Sequence, residues 1–170
     1  AEESWIQNPV DELIEKLTIK YNTSSCVVYN TIQAYRIDRL KYLKELHIRL
    51  AKLDVKIGIK LVRGAYMEKE RLRAKSRSYK SPICENKLKT DENFNNCMEF
   101  ILNNINQFNL FIGSHNEESN LIATKLMSQL KIKSNNKRIW FSQLYGMSDH
   151  ISFNLALNGY NVTKYLPFGP

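Results

Sequence analysis

The stretch Gly58–Glu70, with the sequence GIKLVRGAYMEKE, decides the fold. An apolar, partly β-branched run carries Lys60 and Arg63 near its end, stops at a Gly-Ala-Tyr turn, and continues into a charged segment. This order predicts a strand, a turn and a helix. In a barrel of parallel strands, the strand ends and the following loops face the ligand, so Lys60, Arg63 and Tyr66 are the first candidates for chemistry. An edge strand with solvated cations and a packed tyrosine is the alternative on this stretch alone.

The same alternation of short apolar runs and helical patterns continues along the chain. Strands are predicted at residues 25–31, 56–62, 109–113, 138–142 and 161–166, with helical segments between them. This alternation predicts an α/β fold of about five parallel strands joined by crossover helices. It does not by itself distinguish a closed barrel from an open doubly wound sheet.

Two helix starts are marked by capping residues. Asn8 precedes Pro9, which is favoured at the first helical position, so we expect the first helix to begin there. Asn116 precedes two glutamates, whose charges are favourable in a first turn, and it or Ser114 is the expected cap. A leucine stripe over residues 34–54 predicts a long amphipathic helix.

Composition excludes several classes of protein. Lys and Arg number 25 against 17 Asp and Glu, a net charge of +8, but the positive charges are spread along the chain. A solvated basic surface is therefore favoured over a nucleic-acid partner. Cys26, Cys84 and Cys97 are widely spaced, which argues against a zinc site or a secreted disulfide framework. No apolar run approaches the length of a transmembrane helix.

Mostly polar side chains, with Leu144 as the apolar exception, lie at the predicted strand ends. In chain order they are Thr31 and Gln33; Lys60, Arg63 and Tyr66; Ser114 and His115; Gln143, Leu144 and Tyr145; and Tyr165. A parallel sheet brings these ends to one rim. The set suits a large planar ligand with polar edges better than a metal, because histidines and carboxylates do not converge at ligand spacing. The Gly-x-Gly-x-x-Gly and Walker A fingerprints are absent.

Blocks of sequence along the whole chain resemble the proline dehydrogenase family. They are AEESWIQ at 1–7, VVYNTIQAYR at 27–36, KLVRGAYMEKER at 60–71, SHNEES at 114–119, FSQLYGMSDH at 141–150 and GYNVTKYLPFGP at 159–170. The resemblance implies a (β/α)8 TIM barrel. Because a complete barrel needs roughly 200 to 250 residues, we expect residues 1–170 to be an internal part of a single barrel domain, truncated at both ends.

The resemblance implies a flavoenzyme that oxidises L-proline to 1-pyrroline-5-carboxylate by hydride transfer to FAD. A quinone, with a membrane surface as one setting, is the implied electron acceptor. The expected location is the cytoplasm or the periphery of the inner membrane in a bacterium, with the mitochondrion as the alternative. The competing hypothesis is an inactive barrel fragment that binds nucleotide weakly or binds nothing.

The resemblance also implies the residues of the site. Contacts with FAD are implied for Gln33, Lys60, Arg63, Gly64, Ala65, Ser114 and His115, and contacts with its adenosine end for Lys87 and Thr90. Tyr66, Leu144 and Tyr165 are implied to face the substrate, and no metal is expected. A fixed cation near the flavin, Lys60 or Arg63, would stabilise the negative charge left by reduction. Many bacterial members exchange these two cations, so the sequence leaves open which of them faces the flavin.

Overall fold

The computed structural model describes residues 3–166, in which five parallel strands alternate with six helices. The ends of the first and last sequence blocks, residues 1–2 and 167–170, lie outside the described residues. The strands are β1 Tyr29–Gln33, β2 Ile57–Val62, β3 Phe108–Gly113, β4 Ile139–Leu144 and β5 Val162–Tyr165. The helices are α1 Ser4–Tyr21, α2 Arg39–Leu50, α3 Met67–Ser76, α4 Lys87–Asn103, α5 Glu117–Gln129 and α6 Asp149–Leu157.

The strand order confirms the predicted architecture. The sheet runs β1-β2-β3-β4-β5, and every neighbouring pair is parallel. A doubly wound sheet reverses its strand order at a switch point, whereas a (β/α)8 barrel adds strands in chain order. The five strands are therefore a segment of a TIM-barrel-like fold.

One face of the sheet forms the hydrophobic core with the helices. Alternate positions of each strand, such as Ile57, Ile59 and Leu61 of β2, point to this face and are buried. They belong to one cluster with α4 side chains that include Phe94 and Met98. The helices pack against this face of the sheet. The residues at the other alternate strand positions, many of them polar, therefore point to the opposite face.

The opposite, inner face carries the residues that the site needs. Lys60 pairs in register with Thr31 on one side and Phe111 on the other. Leu144 and Tyr165 are register neighbours at the far end of the sheet. Neighbours in register on parallel strands point to the same face, so these side chains all project toward the barrel interior.

An aromatic layer crosses the inner face near the strand starts. The rings of Tyr29 and Phe111 lie 5.2 Å apart at an interplanar angle of 76°, and Phe111 stacks on Trp140 at 6.2 Å. Tyr29 and Phe111 belong to strands on either side of β2, where Gly58 lies between them. A Cβ at Gly58 would sit 2.4 Å from the Val28 carbonyl oxygen and 2.8 Å from the Tyr29 ring. Glycine is therefore required there for the two rings to meet.

The prediction that the first helix begins at Pro9 is wrong, because α1 starts at Ser4. Proline inside a helix removes one hydrogen bond, here the bond that residue 9 would donate to the Trp5 carbonyl. The Asn8 side chain accordingly lies inside α1 rather than at its cap. The early start depends on contacts with α3, which no local pattern in the sequence indicates.

Two further elements are shifted or shorter than predicted. β1 begins after most of the predicted strand 25–31, because the Asn22 side chain accepts from the Val28 amide at 2.8 Å and holds this segment as a loop. The predicted helix 34–54 shortens at both ends to α2. At its start, the Ala34 amide donates to a β2 carbonyl at 2.7 Å and extends the strand pairing.

Within residues 3–166, no helix is long and apolar enough to cross a membrane.

Candidate functional site

The carboxyl ends of the strands open into a cleft of about 710 Å³. Its lining comprises Thr31, Gln33, Lys60, Val62, Arg63, Gly64, Ala65, Tyr66, Lys87, Gly113, Ser114, His115, Asn116, Ser142, Gln143, Leu144 and Tyr165. Every residue implied for the site by the resemblance lies on this cleft except Thr90. Thr90 is buried in the first turn of α4, where its hydroxyl donates to the Asn86 carbonyl at 3.2 Å.

Lys60 and Arg63 point in different directions. Lys60 lies on the inner face, with Nζ 4.4 Å from the centroid of the Tyr165 ring. The Arg63 guanidinium turns toward the helix layer and packs over the Phe94 ring at 4.4 Å. Lys60 forms no ion pair within residues 3–166, whereas Arg63 is paired with Asp91 at 2.6 Å. Lys60 is thus the cation whose charge remains uncompensated in the cleft.

The Arg63 fork holds together the loops that follow β2 and β3. Its Nη1 donates to Ser114 Oγ at 2.7 Å and its Nη2 to Ser119 Oγ at 2.8 Å. Burial alone would raise the pKa of Asp91, but hydrogen bonds from Lys87 and Arg63 lower it below its usual value. This carboxylate therefore stays ionised between two cations, and the three groups together keep a net positive charge at the rim.

The Ser114 backbone is fixed by a buried amide. Gln143 of β4 is 1% exposed, and its Nε2 donates to the Ser114 carbonyl at 3.1 Å. Its Oε1 accepts from Ser152 Oγ of α6 at 2.8 Å. Because both ends of this amide are occupied, the β3–α5 loop is tied to β4 and α6.

His115 lies at the same rim and contacts the loop after β4. Its Nδ1 lies 2.9 Å from Ser148 Oγ. Partial burial and the nearby Lys164 charge lower the pKa of His115 below its usual value. The imidazole is therefore neutral at pH 7, and Ser148 links it to the start of α6.

Two glycines shape the cleft by lacking a side chain. Gly64 has φ of +111°, and a Cβ there would lie 2.6 Å from the Tyr35 ring. Gly113 lies on the inner face at the end of β3, where a Cβ would meet Val62 Cγ1 at 2.8 Å. A non-glycine residue at either position would displace its neighbours, so both positions require glycine.

The three residues implied to face the substrate line one cleft. Leu144 and Tyr165 are register neighbours on β4 and β5, and Tyr66 caps α3 across the cleft. All three are partly exposed. One apolar side chain and two tyrosine rings on the same cleft suit a small ring with both apolar and polar edges.

Several lining residues were not singled out from the sequence. Val62, Gly113 and Ser142 follow from strand parity, since Val62 is two positions after Lys60 and the other two are register neighbours of one another. The alternation of side chains along a strand identifies these cleft-lining residues only when the register between neighbouring strands is known. Among residues 3–166 no group of three or more His, Cys, Asp or Glu side chains could hold a metal ion.

The comparisons with known proteins agree with one another. The family model described as Proline dehydrogenase matches residues 1–170. Proline dehydrogenase 1, mitochondrial, of Dictyostelium discoideum is 40% identical over 177 residues, covering 100% of this chain and 31% of that protein. Proline dehydrogenase 2, mitochondrial, of Arabidopsis thaliana is 39% identical over 178 residues, covering 100% of this chain and 37% of that protein.

A solved structure matches equally broadly. Proline utilization A (PutA) from Bdellovibrio bacteriovorus, inactivated by N-propargylglycine, has a TM-score of 0.92 at 26% identity. The match covers 99% of this chain and 18% of that one. This chain spans about a third of the length of the two curated relatives.

Proposed function

Because this chain belongs to the proline dehydrogenase family, we propose that its protein oxidises L-proline to 1-pyrroline-5-carboxylate with FAD as hydride acceptor. The observation that carries the proposal is Lys60, a cation without an acidic partner in the described residues, facing a cleft at the carboxyl ends of parallel strands. Binding sites in this fold occupy that end of the barrel.

The lining of the cleft fits a flavin. Gly113 leaves an open floor for a flat ring, and Gln33 supplies an amide for its polar edge. Ser114 and His115 add a hydroxyl and a neutral imidazole, and Ala65 adds the small side chain that follows the Gly64 turn. When bound, FAD supplies the acceptor for the hydride that leaves proline C5, and a quinone is the proposed final electron acceptor.

Lys60 has the central electrostatic role in this proposal. Its ammonium group is fixed on β2 and lies over the Tyr165 ring, so it is oriented before any reaction begins. A preorganised cation stabilises the negative charge that develops on a neighbouring ring during reduction. This orientation supports the proposal that Lys60 faces the flavin and that Arg63 supports the rim.

The net positive group of Arg63, Lys87 and Asp91 suits the phosphates and adenosine end of FAD. Lys87 is well exposed at the start of α4, so it can move toward an anionic ligand. Thr90 is buried behind this turn, and its predicted contact with FAD remains a prediction that requires the α4 start to rearrange.

Tyr66, Leu144 and Tyr165 are proposed to enclose the proline ring. The two curated relatives are named mitochondrial proteins, which supports a mitochondrial location over the bacterial alternatives. Residues 1–170 are proposed to be one part of a single barrel domain, since five of the eight strands of a closed barrel lie in residues 3–166.

The test uses the native gene product that contains residues 1–170, purified and loaded with FAD. We expect flavin absorbance that stays with the protein on gel filtration and dye reduction that depends on L-proline. L-alanine is the matched control, because it offers the same α-carboxylate and α-amine without the ring. Protein that retains no flavin, or that reduces dye no faster with L-proline than with L-alanine, would contradict the proposal.

A further inference from the structure

The start of α1 lacks a cap of its own. Its N-cap residue, Glu3, makes no side-chain capping bond, and the first turn holds no acidic residue. The first amides of a helix have no partner within the helix, and a negative charge nearby stabilises them. A helix end of this kind needs its partner from elsewhere in the fold.

Glu70 of α3 provides that partner across 66 positions of sequence. One carboxylate oxygen accepts from the Ser4 amide at 2.6 Å, and the other accepts from the Ser4 hydroxyl. Glu70 is 2% exposed, so this carboxylate depends on its partners in the fold rather than on water. The contact is the tertiary equivalent of a helix cap.

The same end of α1 is held from a second loop. The Arg36 Nη1 donates to the Ser4 carbonyl at 2.9 Å, and Arg36 follows β1. Two weaker contacts flank the cap: an ion pair of Lys69 with Glu3, and Arg73 over the Trp5 ring at 5.0 Å. The first turn of α1 therefore bridges the loop that follows β1 and helix α3.

The first turn of α3 connects this contact with α1 to the cleft. Tyr66 is the N-cap residue of α3, and its carbonyl accepts from the Glu70 amide at 2.9 Å. Tyr66 also lines the cleft. The first turn of α3 thus has Tyr66 at its inner end and the α1 cap on its outer side, and any shift of this turn moves both.

We propose that Glu70 is a positioning residue, which holds the first turn of α3 against α1 and thereby fixes Tyr66 in the cleft. The proposal rests on the proposed function, because Tyr66 is assigned there to the substrate. The contact joins two distant blocks of the sequence, since Ser4 belongs to AEESWIQ and Glu70 to KLVRGAYMEKER.

Glu70→Gln in the FAD-loaded native protein tests this proposal. The amide keeps the size of the side chain but removes the charge and one of the two acceptor oxygens. We expect the KM for L-proline to rise about tenfold, as for loss of one hydrogen bond to a charged group, while kcat and flavin content stay close to wild type. Glu68→Gln is the matched control, since Glu68 lies in the same turn but is exposed.

Hydrogen exchange provides a readout that is independent of activity. In Glu70→Gln, peptides covering residues 63–70 are expected to exchange faster than in Glu68→Gln. Ser4→Ala removes the partner hydroxyl but leaves the Glu70 charge, and a smaller change in the same direction is expected. In a Tyr66→Phe background the effect of Glu70→Gln on KM should differ from its effect in wild type, because coupled residues are not additive.

The outcomes separate this proposal from the proposed function. If the wild-type protein fails to oxidise proline, the proposed function falls, and exchange of residues 63–70 decides the role of Glu70 alone. Exchange in Glu70→Gln that equals the control overturns the positioning role. Faster exchange with an unchanged KM in an active enzyme overturns the link from Glu70 to the substrate.

Discussion

Replacing Lys60 by methionine tests the electrostatic core of the proposed function. Methionine keeps the length and apolar stem of the side chain but removes the ammonium group. Lys60 has no acidic partner in residues 3–166, so its whole charge is available to the cleft. We expect slower flavin reduction by L-proline and a lower flavin reduction potential.

The size of the effect follows from the geometry. Two unit charges about 4 Å apart interact by about 4 kcal/mol at an effective dielectric constant of about 20. Removal of one preorganised donor typically costs about 2.7 to 4 kcal/mol, or about 10² to 10³ in rate. If the same charge stabilises the reduced flavin, the two-electron potential falls by about 60 to 90 mV.

Rapid-mixing measurement of flavin bleaching by L-proline gives the rate, and a redox titration gives the potential. Lys60→Arg is the matched control, because it keeps the charge and is expected to retain most of the rate. Arg63→Met is the second control: its charge is paired with Asp91, so the expected loss is in stability and flavin retention. A Lys60→Met enzyme with wild-type rate and potential, or an Arg63→Met enzyme with the larger loss of potential, would refute the assignment.

Three further predictions concern single positions. Tyr66→Phe and Tyr165→Phe each remove a hydroxyl that meets the substrate. Each should change the KM for L-proline, or the preference for hydroxyproline, by a factor equivalent to roughly 1 to 3 kcal/mol of binding free energy. Unchanged steady-state kinetics for both variants would make these tyrosines packing residues. Gly58→Ala should lower stability by about 1 to 3 kcal/mol in thermal unfolding, since its Cβ would overlap the Val28 carbonyl. Burial alone would raise the pKa of Asp38, but hydrogen bonds from two arginines lower it to about 2, so its contribution to stability is present above pH 4 and lost toward pH 2. In Asp38→Asn the free energy of unfolding should therefore depend less on pH between pH 4 and pH 2, as measured by acid unfolding.

The fold was predictable because its signals are local. Most strands and helices show their own periodicity, and the alternation of the two types predicts parallel pairing. The start of α1 was not predictable, since Ser4 is capped by a side chain 66 positions away. In that case a tertiary contact outweighs the local preference of Pro9 for a first turn.

The site was predictable in its members but not in its orientation. Strand ends and the resemblance together indicated the residues that line the cleft. Both Lys60 and Arg63 line the cleft, but which of the two charges is directed to the inner face depends on strand parity, and this requires the register of β2 with its neighbours. Thr90 shows that a matching sequence position does not place a side chain in the cleft. Thr90 lies close to Lys87 along the chain, yet the helical turn directs it into the protein interior.

The strand order also has a consequence for how the chain folds during synthesis. Within residues 3–166 each strand after β1 pairs with the strand made just before it, so none of these four pairings waits for a distant part of the sequence. Low sequence separation of contacts favours fast folding, and domains fold as the ribosome extends the chain. At any moment the newest strand is the growing edge, with unpaired backbone groups that can bind the wrong partner. The four-residue β5, when it is that edge, offers fewer such groups than the six-residue β4 before it.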